Sequence, residues 1–389
     1  MLPRERVFAA LEHREADRIP WGEHSIDYNV YEDILGRPTL VQAKMKETQA
    51  YWDGRRDEVV ACYKRDCLDL VRALEMDIVF VGAVPPKDYR PAPMRKLDDA
   101  TYADERGSLF RVSATTHDLM PYEFNTSGYV PPTVQSLQEQ IDKLEDQPPG
   151  DPSDSAWELV RHAVKQMKKT HFIVLLAGDV SWPTFGATEE EGWMNLVLQP
   201  EVCAKLAELQ GRSVARDVQL FAKLGVDGIM PCGDLGSSTG LMASPEIYRR
   251  MVYPWQKAHV AEAHRLGLKV LKHCCGHVWP IIDELAEIYD AYEAIQATAG
   301  MDIARLKERV GRKLCLWGGI WHEHIILGSV EDIRSDARYA FTHAAPGGGY
   351  IMGSTHSLAV DAKPANILEM KRCRDEWGSY PIRPERFRP

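Results

Sequence analysis

Nowhere does this sequence hold the roughly 18 consecutive apolar residues that a membrane-spanning helix requires, so a membrane span is not expected. The opening MLPRERVFAALEHREADR is charged throughout and lacks the apolar core of a secretory signal, which points to the cytoplasm. No basic block or stripe is present either: 57 acidic residues outnumber 47 basic ones, for a formal net charge of -10. Phosphate backbones are gripped by a concentrated cationic face, so nucleic acid is not an expected partner. Internal repeats and low-complexity tracts are absent. The eight cysteines are scattered over 389 residues, which argues against a disulfide framework and leaves most of them as buried thiols.

What the chain does have is 44% hydrophobic and 27% charged residues, the balance of a globular protein with a substantial core. Short apolar runs ending in polar clusters recur along it, several followed by helical patterns, as in a parallel sheet wrapped by helices. Eight such runs predict strands at residues 17–23, 77–82, 172–179, 227–234, 269–275, 290–296, 313–320 and 350–356. SPEIYRRMVYPWQKAHVAEAHRLG and SVEDIRSDARYAFTHAAPG read as helices between the later ones. The expected fold is therefore an α/β (β/α)8 TIM barrel, one domain over residues 1–389. An inserted segment at about 83–171, between strands two and three, carries a hairpin in RKLDDATYADERGSLFRV.

Barrel enzymes build their sites at the C-terminal ends of the strands, and here those ends are rich in metal-binding and proton-transferring side chains. They include Glu23 and His24, Asp179, Asp234, the trio His273, Cys274 and Cys275, then Gln296, Trp321 and His322, and finally His356. In KHCCGH, alternation puts His273 and Cys275 on one side of a strand and Cys274 on the other. Imidazole with thiolate suits Zn²⁺, and His356 at the end of the last strand is the expected third ligand. The plainer alternative is a hydrogen-bonded core histidine beside a buried thiol. Asp234 is a candidate for proton transfer or for capping a turn, and His24 and Tyr28 for substrate contact or a loop surface. His322 and His324 alternate after strand seven as further proton-transfer or ligand candidates. Trp321 and Trp182, with Trp21 and Trp279, could wall an aromatic substrate or a corrin ring, or could simply pack loops onto the barrel.

These residues also carry a family likeness. RERVFAALEHREADRIP, GLMASPEIYRRMVYPWQKAHVAEAHRLGLKVLKHCCGHVWPIIDEL, LWGGI and GGGYIMGSTHSLAVDAKPANILEM resemble the uroporphyrinogen decarboxylase superfamily. The His-x-Cys pair at His273 and Cys275 is similar to its cobalamin-dependent methyltransferases, which include coenzyme M methyltransferases and corrinoid O-demethylases. That likeness implies a Zn²⁺ held by His273, Cys275 and a residue after strand eight. In this sequence that residue is His356, where the coenzyme M enzymes often have cysteine. It also implies a methyl group exchanged between a small molecule or thiol and a corrinoid (cobalamin) supplied by a separate protein. True uroporphyrinogen decarboxylases carry an arginine-rich segment after the first strand, whereas WGEHSIDYNVYEDILG has no arginine before Arg37 and has Glu23 and Asp27 to repel a polycarboxylate. A metal-independent decarboxylase or lyase acting on a non-porphyrin acid through Asp234 is the alternative activity.

Overall fold

The computed structural model describes residues 1–148 and 150–387. Strand β1 (Ile78–Val81) is followed by β2 (Arg95–Lys96), β3 (Thr101–Ala103), β4 (Leu109–Val112) and β5 (Leu119–Glu123), which pair antiparallel as a four-stranded sheet of their own. The chain then supplies β6 (Phe172–Ala177), β7 (Gly228–Pro231), β8 (Lys269–His273), β9 (Ala291–Glu293), β10 (Cys315–Ile320) and β11 (Tyr350–Ser354). With β1 these form a curled, all-parallel sheet of seven strands in sequence order. The hairpin expected at residues 95–112 is part of the antiparallel sheet, which adds β5 to it.

The run expected as the first strand, 17–23, is not a regular strand. Met352 N donates to Pro20 O at 2.8 Å and Gly22 N donates to Met352 O at 3.1 Å, while Asp77 N donates to Trp21 O at 2.7 Å. Residues 20–22 thus bond β11 on one side and the residue before β1 on the other. Pro20 has no N–H to extend the ladder, which limits the run to bridges. Within the 83–171 interval, the helix Glu158–Met167 packs against both β1 and β6, the position of a crossover helix between two parallel strands.

Alternation along the strands creates two apolar layers, because a parallel sheet with helices outside and a core inside is buried on both faces. Ile78, Phe172, Val174, Met230, Leu271, Trp317 and Ile351 fill the inside of the curl. Val79, Ile173, Leu175, Ile229, Val270 and Leu316 face the helices. Each such buried side chain stabilises the fold by about 1.5–3 kcal/mol relative to exposure. The helix Pro3–Leu11 sends Val7 and Leu11 into the inner cluster, so one end of the curl is plugged.

Aspartates just before three strands lock the register at that end. Asp77 Oδ2 accepts from Trp21 N at 2.9 Å, Asp227 Oδ2 from Ile173 N at 3.0 Å and Asp290 Oδ2 from Val270 N at 2.8 Å, each bonding the neighbouring segment. Their other oxygens meet Arg6, Arg4 and Lys269. At β11, Gly353 is dictated by crowding: a Cβ there would lie 2.6 Å from Trp317 Nε1, which reaches past it to donate to Gly22 O. No helix among the described residues is long and apolar enough to cross a membrane.

Candidate metal centre

The open end of the curl gathers four imidazoles. The His24 ring centroid is 4.4 Å from that of His273, His273 is 6.0 Å from His356, and His356 is 5.4 Å from His322. β8 ends at His273, so Cys275 lies in the following turn instead of in the strand. There Gly276 takes φ +80°, and a Cβ would strike the Gly236 backbone at 2.5 Å, which holds the loops after β7 and β8 together. The turn still returns Cys275 to the His273 side, with Sγ 3.3 Å from His273 Nε2. Cys274 is fully buried on the other side, where its Sγ accepts from Leu235 N at 3.3 Å.

Behind His273, the buried Glu293 carboxylate bonds the imidazole Nδ1, and its other oxygen lies 3.3 Å from His24 Nδ1. That bond leaves Nε2 as the nitrogen turned to Cys275, and a carboxylate behind a ligating histidine is how metal proteins fix its tautomer and raise its basicity. Sequence reasoning missed Glu293, placing the strand end at Gln296. The signal was an acid inside the apolar run AYEAI. Gln296 instead accepts from Gly276 N at 3.0 Å.

Burial alone would lower the His273 pKa, but the Glu293 charge and hydrogen bond outweigh it and hold it above the ordinary value. Burial would raise Glu293, yet the two histidines hold its carboxyl well below the usual range. Burial, then Asp234 and Glu293, push the Cys275 thiol far up. Burial and the neighbouring imidazoles of His322, His24 and His273 keep His356 below its usual value, as a neutral donor. A thiol, imidazoles and carboxylates crowded together form a donor set that a divalent cation would satisfy by displacing the thiol proton.

Asp234 stands half-exposed at the mouth. Its Oδ1 accepts from Cys275 N at 2.8 Å and lies 3.9 Å from His273 Nε2. Ligand atoms of Asp234, His273 and Cys275 fall within 4.8 Å of one another, as do those of His24, His273 and Glu293. His356 shares the imidazole cluster without joining either group. Two imidazoles on one tetrahedral zinc hold their centroids roughly 5 Å apart, somewhat closer than His273 and His356. Asp234 is placed from behind: Asp179 accepts from Gly233 N at 2.8 Å, while the fully buried Lys272 donates to Gly233 O at 2.6 Å and pairs with Asp179. Gly233, the residue before Asp234, is therefore gripped at both its N–H and its C=O.

Other expected residues lie elsewhere. The Tyr28 hydroxyl is 3.3 Å from His117 Nδ1, away from the cluster, because the helix Tyr28–Leu35 starts there and turns it towards the antiparallel sheet. Trp182 is 6% exposed, donates to Leu235 O at 3.2 Å and packs against Trp193 and Tyr248, so packing occupies the ring proposed for a cofactor. Trp321 stacks on His324 and lines a separate cavity with Asp336 and Tyr339. Trp21 is fully buried and Trp279 donates to Gly300 O, so the four tryptophans form no common wall. His322 Nδ1 lies 2.9 Å from Ser357 O, behind His356.

The family model described as uroporphyrinogen decarboxylase (URO-D) matches residues 120–377. The chain belongs to the uroporphyrinogen decarboxylase family. Among solved structures, this family member is similar to a methyltransferase from Methanosarcina mazei, with TM-score 0.63 and 15% identity over 97% of this chain and 99% of the other. At that identity the likeness is one of fold. A chitinase from Chromobacterium violaceum (TM-score 0.33, 10% identity, covering 59% of this chain and 85% of that one) is far more distant. So is a 3-keto-D-glucoside 4-epimerase from E. coli (TM-score 0.31, 14% identity, covering 62% and 94%). No curated protein sequence matches this family member.

Proposed function

We propose that this protein is a zinc-dependent methyltransferase that moves a methyl group between a small molecule, a methoxylated aromatic or a thiol, and a corrinoid carried by a partner protein. The observation that carries the reading is the His273–Cys275 pair, with Sγ and Nε2 3.3 Å apart and Glu293 bonded behind the imidazole. His273, Cys275 and His356 would hold the ion, with Asp234 as the nearest carboxylate. The chemistry a bound zinc supplies here is Lewis acidity, towards an acceptor thiolate or the oxygen of a departing phenolate. Glu293 holds the His273 tautomer, and the Lys272–Asp179 grip on Gly233 holds Asp234 where it can orient substrate or take a proton at its exposed oxygen. The fold likeness to a protein described as a methyltransferase supports the same reading. On this reading residues 1–389 form one (β/α)8 barrel domain in the cytoplasm, with residues 20–22 closing the ring and the 83–171 segment, apart from its crossover helix Glu158–Met167, as the insertion.

The test is elemental analysis of protein purified under zinc-replete conditions, followed by methyl transfer from a methoxyarene to free reduced cobalamin, read by absorbance. One zinc per chain and transfer that chelation abolishes are expected. No zinc, with decarboxylation of an organic acid retained, would replace this reading by the metal-independent lyase. Comparing His356→Ala with Asp234→Asn identifies the third ligand: the histidine variant should lose more zinc affinity.

A further inference from the structure

Beside the imidazole cluster, a cavity of ≈ 270 Å³ runs from the open end of the curl, past the end of β1, to the helices Met45–Trp52 and Arg56–Leu74. His24 and Glu23 form its wall towards the cluster. Its sides are apolar: Ile26, Leu70, Val71, Met76, Phe80 and Leu159. Leu176 marks its mouth. It follows Phe172 and Val174 on the inner face of β6, yet is 46% exposed because nothing covers it there. At the helix end sits a polar group, in which Tyr63 donates to Glu47 at 3.1 Å and in turn accepts from Gln42 N at 3.2 Å.

We infer that this cavity is the substrate site, and that it takes a neutral, single-ring aromatic ether bearing a hydroxyl and rejects the corresponding carboxylate. The substrate class rests on the methyl-transfer reading; the cavity and its selectivity rest on the lining. Size comes first. An apolar cavity of about 150 Å³ accepts benzene, so this one has room for a ring with two small substituents. Charge comes second. No lysine or arginine lines it among the described residues, while Glu23 and Glu47 do. A carboxylate reaching the closed end would therefore be desolvated with no cation to meet it there. Direction comes third. The Glu47 carboxyl offers an acceptor for a ligand hydroxyl at the closed end, which leaves the ether end towards His24, whose ring touches that of His273.

The experiment is calorimetric titration of the full chain with 4-methoxyphenol and 4-methoxybenzoate, with zinc bound and after chelation, and no corrinoid present. The phenol should bind at least tenfold more tightly than the benzoate. Ala83→Trp, at an exposed position on the rim, should weaken phenol binding at least tenfold without lowering the melting temperature. Glu47→Gln should narrow the phenol-to-benzoate ratio at least threefold. Equal or tighter binding of the benzoate, no binding of the phenol, or phenol binding unchanged in Ala83→Trp would overturn the assignment. Because binding is read without methyl transfer, a protein that binds the phenol as described but holds no zinc would refute the catalytic reading and leave the cavity assignment standing.

Discussion

Glu293→Gln is the substitution that most directly probes how the cluster is organised. Glu293 is 1% exposed, bonds His273 Nδ1 and lies 3.3 Å from His24 Nδ1. Removing the carboxylate behind a ligating histidine costs about 10–100-fold in metal affinity, or about 1.4–2.7 kcal/mol. Glutamine keeps one acceptor for the imidazole N–H and loses the charge, and a charge-assisted bond is roughly twice as strong as a neutral one. The lower part of that range, about 10–30-fold, is therefore expected for Glu293→Gln, and about 100-fold for Glu293→Ala, which leaves Nδ1 unpaired. Zinc affinity would be measured by competition with a chromophoric chelator at neutral pH. The pH dependence has a definite sign. Glu293 raises the His273 pKa, so protons compete harder for the wild-type imidazole, and the gap between wild type and Glu293→Gln narrows as pH falls towards 6. Tyr292→Phe is the control. It lies on the opposite face of β9 and loses a 3.0 Å bond to Cys274 O, which costs about 1 kcal/mol of stability and no zinc affinity. Zinc binding within threefold of wild type in both Glu293 variants, or an equal loss in Tyr292→Phe, would refute the arrangement.

Cys275→Ser should lose zinc while keeping its fold, whereas Cys274→Ser should keep zinc, and elemental analysis of the two variants checks both. Lys272→Met should destabilise the protein by about 3–5 kcal/mol in chemical denaturation by leaving Asp179 buried and unpaired, and the double variant Lys272→Met/Asp179→Leu should recover part of that loss. Burial pushes the Glu47 carboxyl up to about 7, with Lys44 and the tyrosines opposing, so the folded state resists its ionisation. Its contribution is fully present below about pH 4.5 and is lost as pH rises through 7. Glu47→Gln should accordingly gain stability relative to wild type between pH 4.5 and 8, by up to about 3 kcal/mol, as read from denaturation midpoints.

The sequence by itself determined the parallel sheet, because an element buried on both faces must be an almost unbroken apolar run, and seven of the eight runs form it. It also placed His273, Cys275, His356, His24 and Asp234 at one end, since strand ends follow directly from where the runs stop. The run at 17–23 failed as a regular strand because Pro20 withholds a donor, a local fact readable in the sequence. What the sequence could not decide was distance across the curl. That Glu293 backs His273 depends on β8 and β9 being adjacent in register, and that Trp182 is consumed by Trp193 and Tyr248 depends on loop packing. Glu47, Tyr63 and Leu70 meet His24 in one cavity only because helices preceding β1 fold back over its end. Alternation fixes which way a side chain points along its own strand. The partner it meets is set by how separate segments pack, and that is a property of the tertiary structure alone.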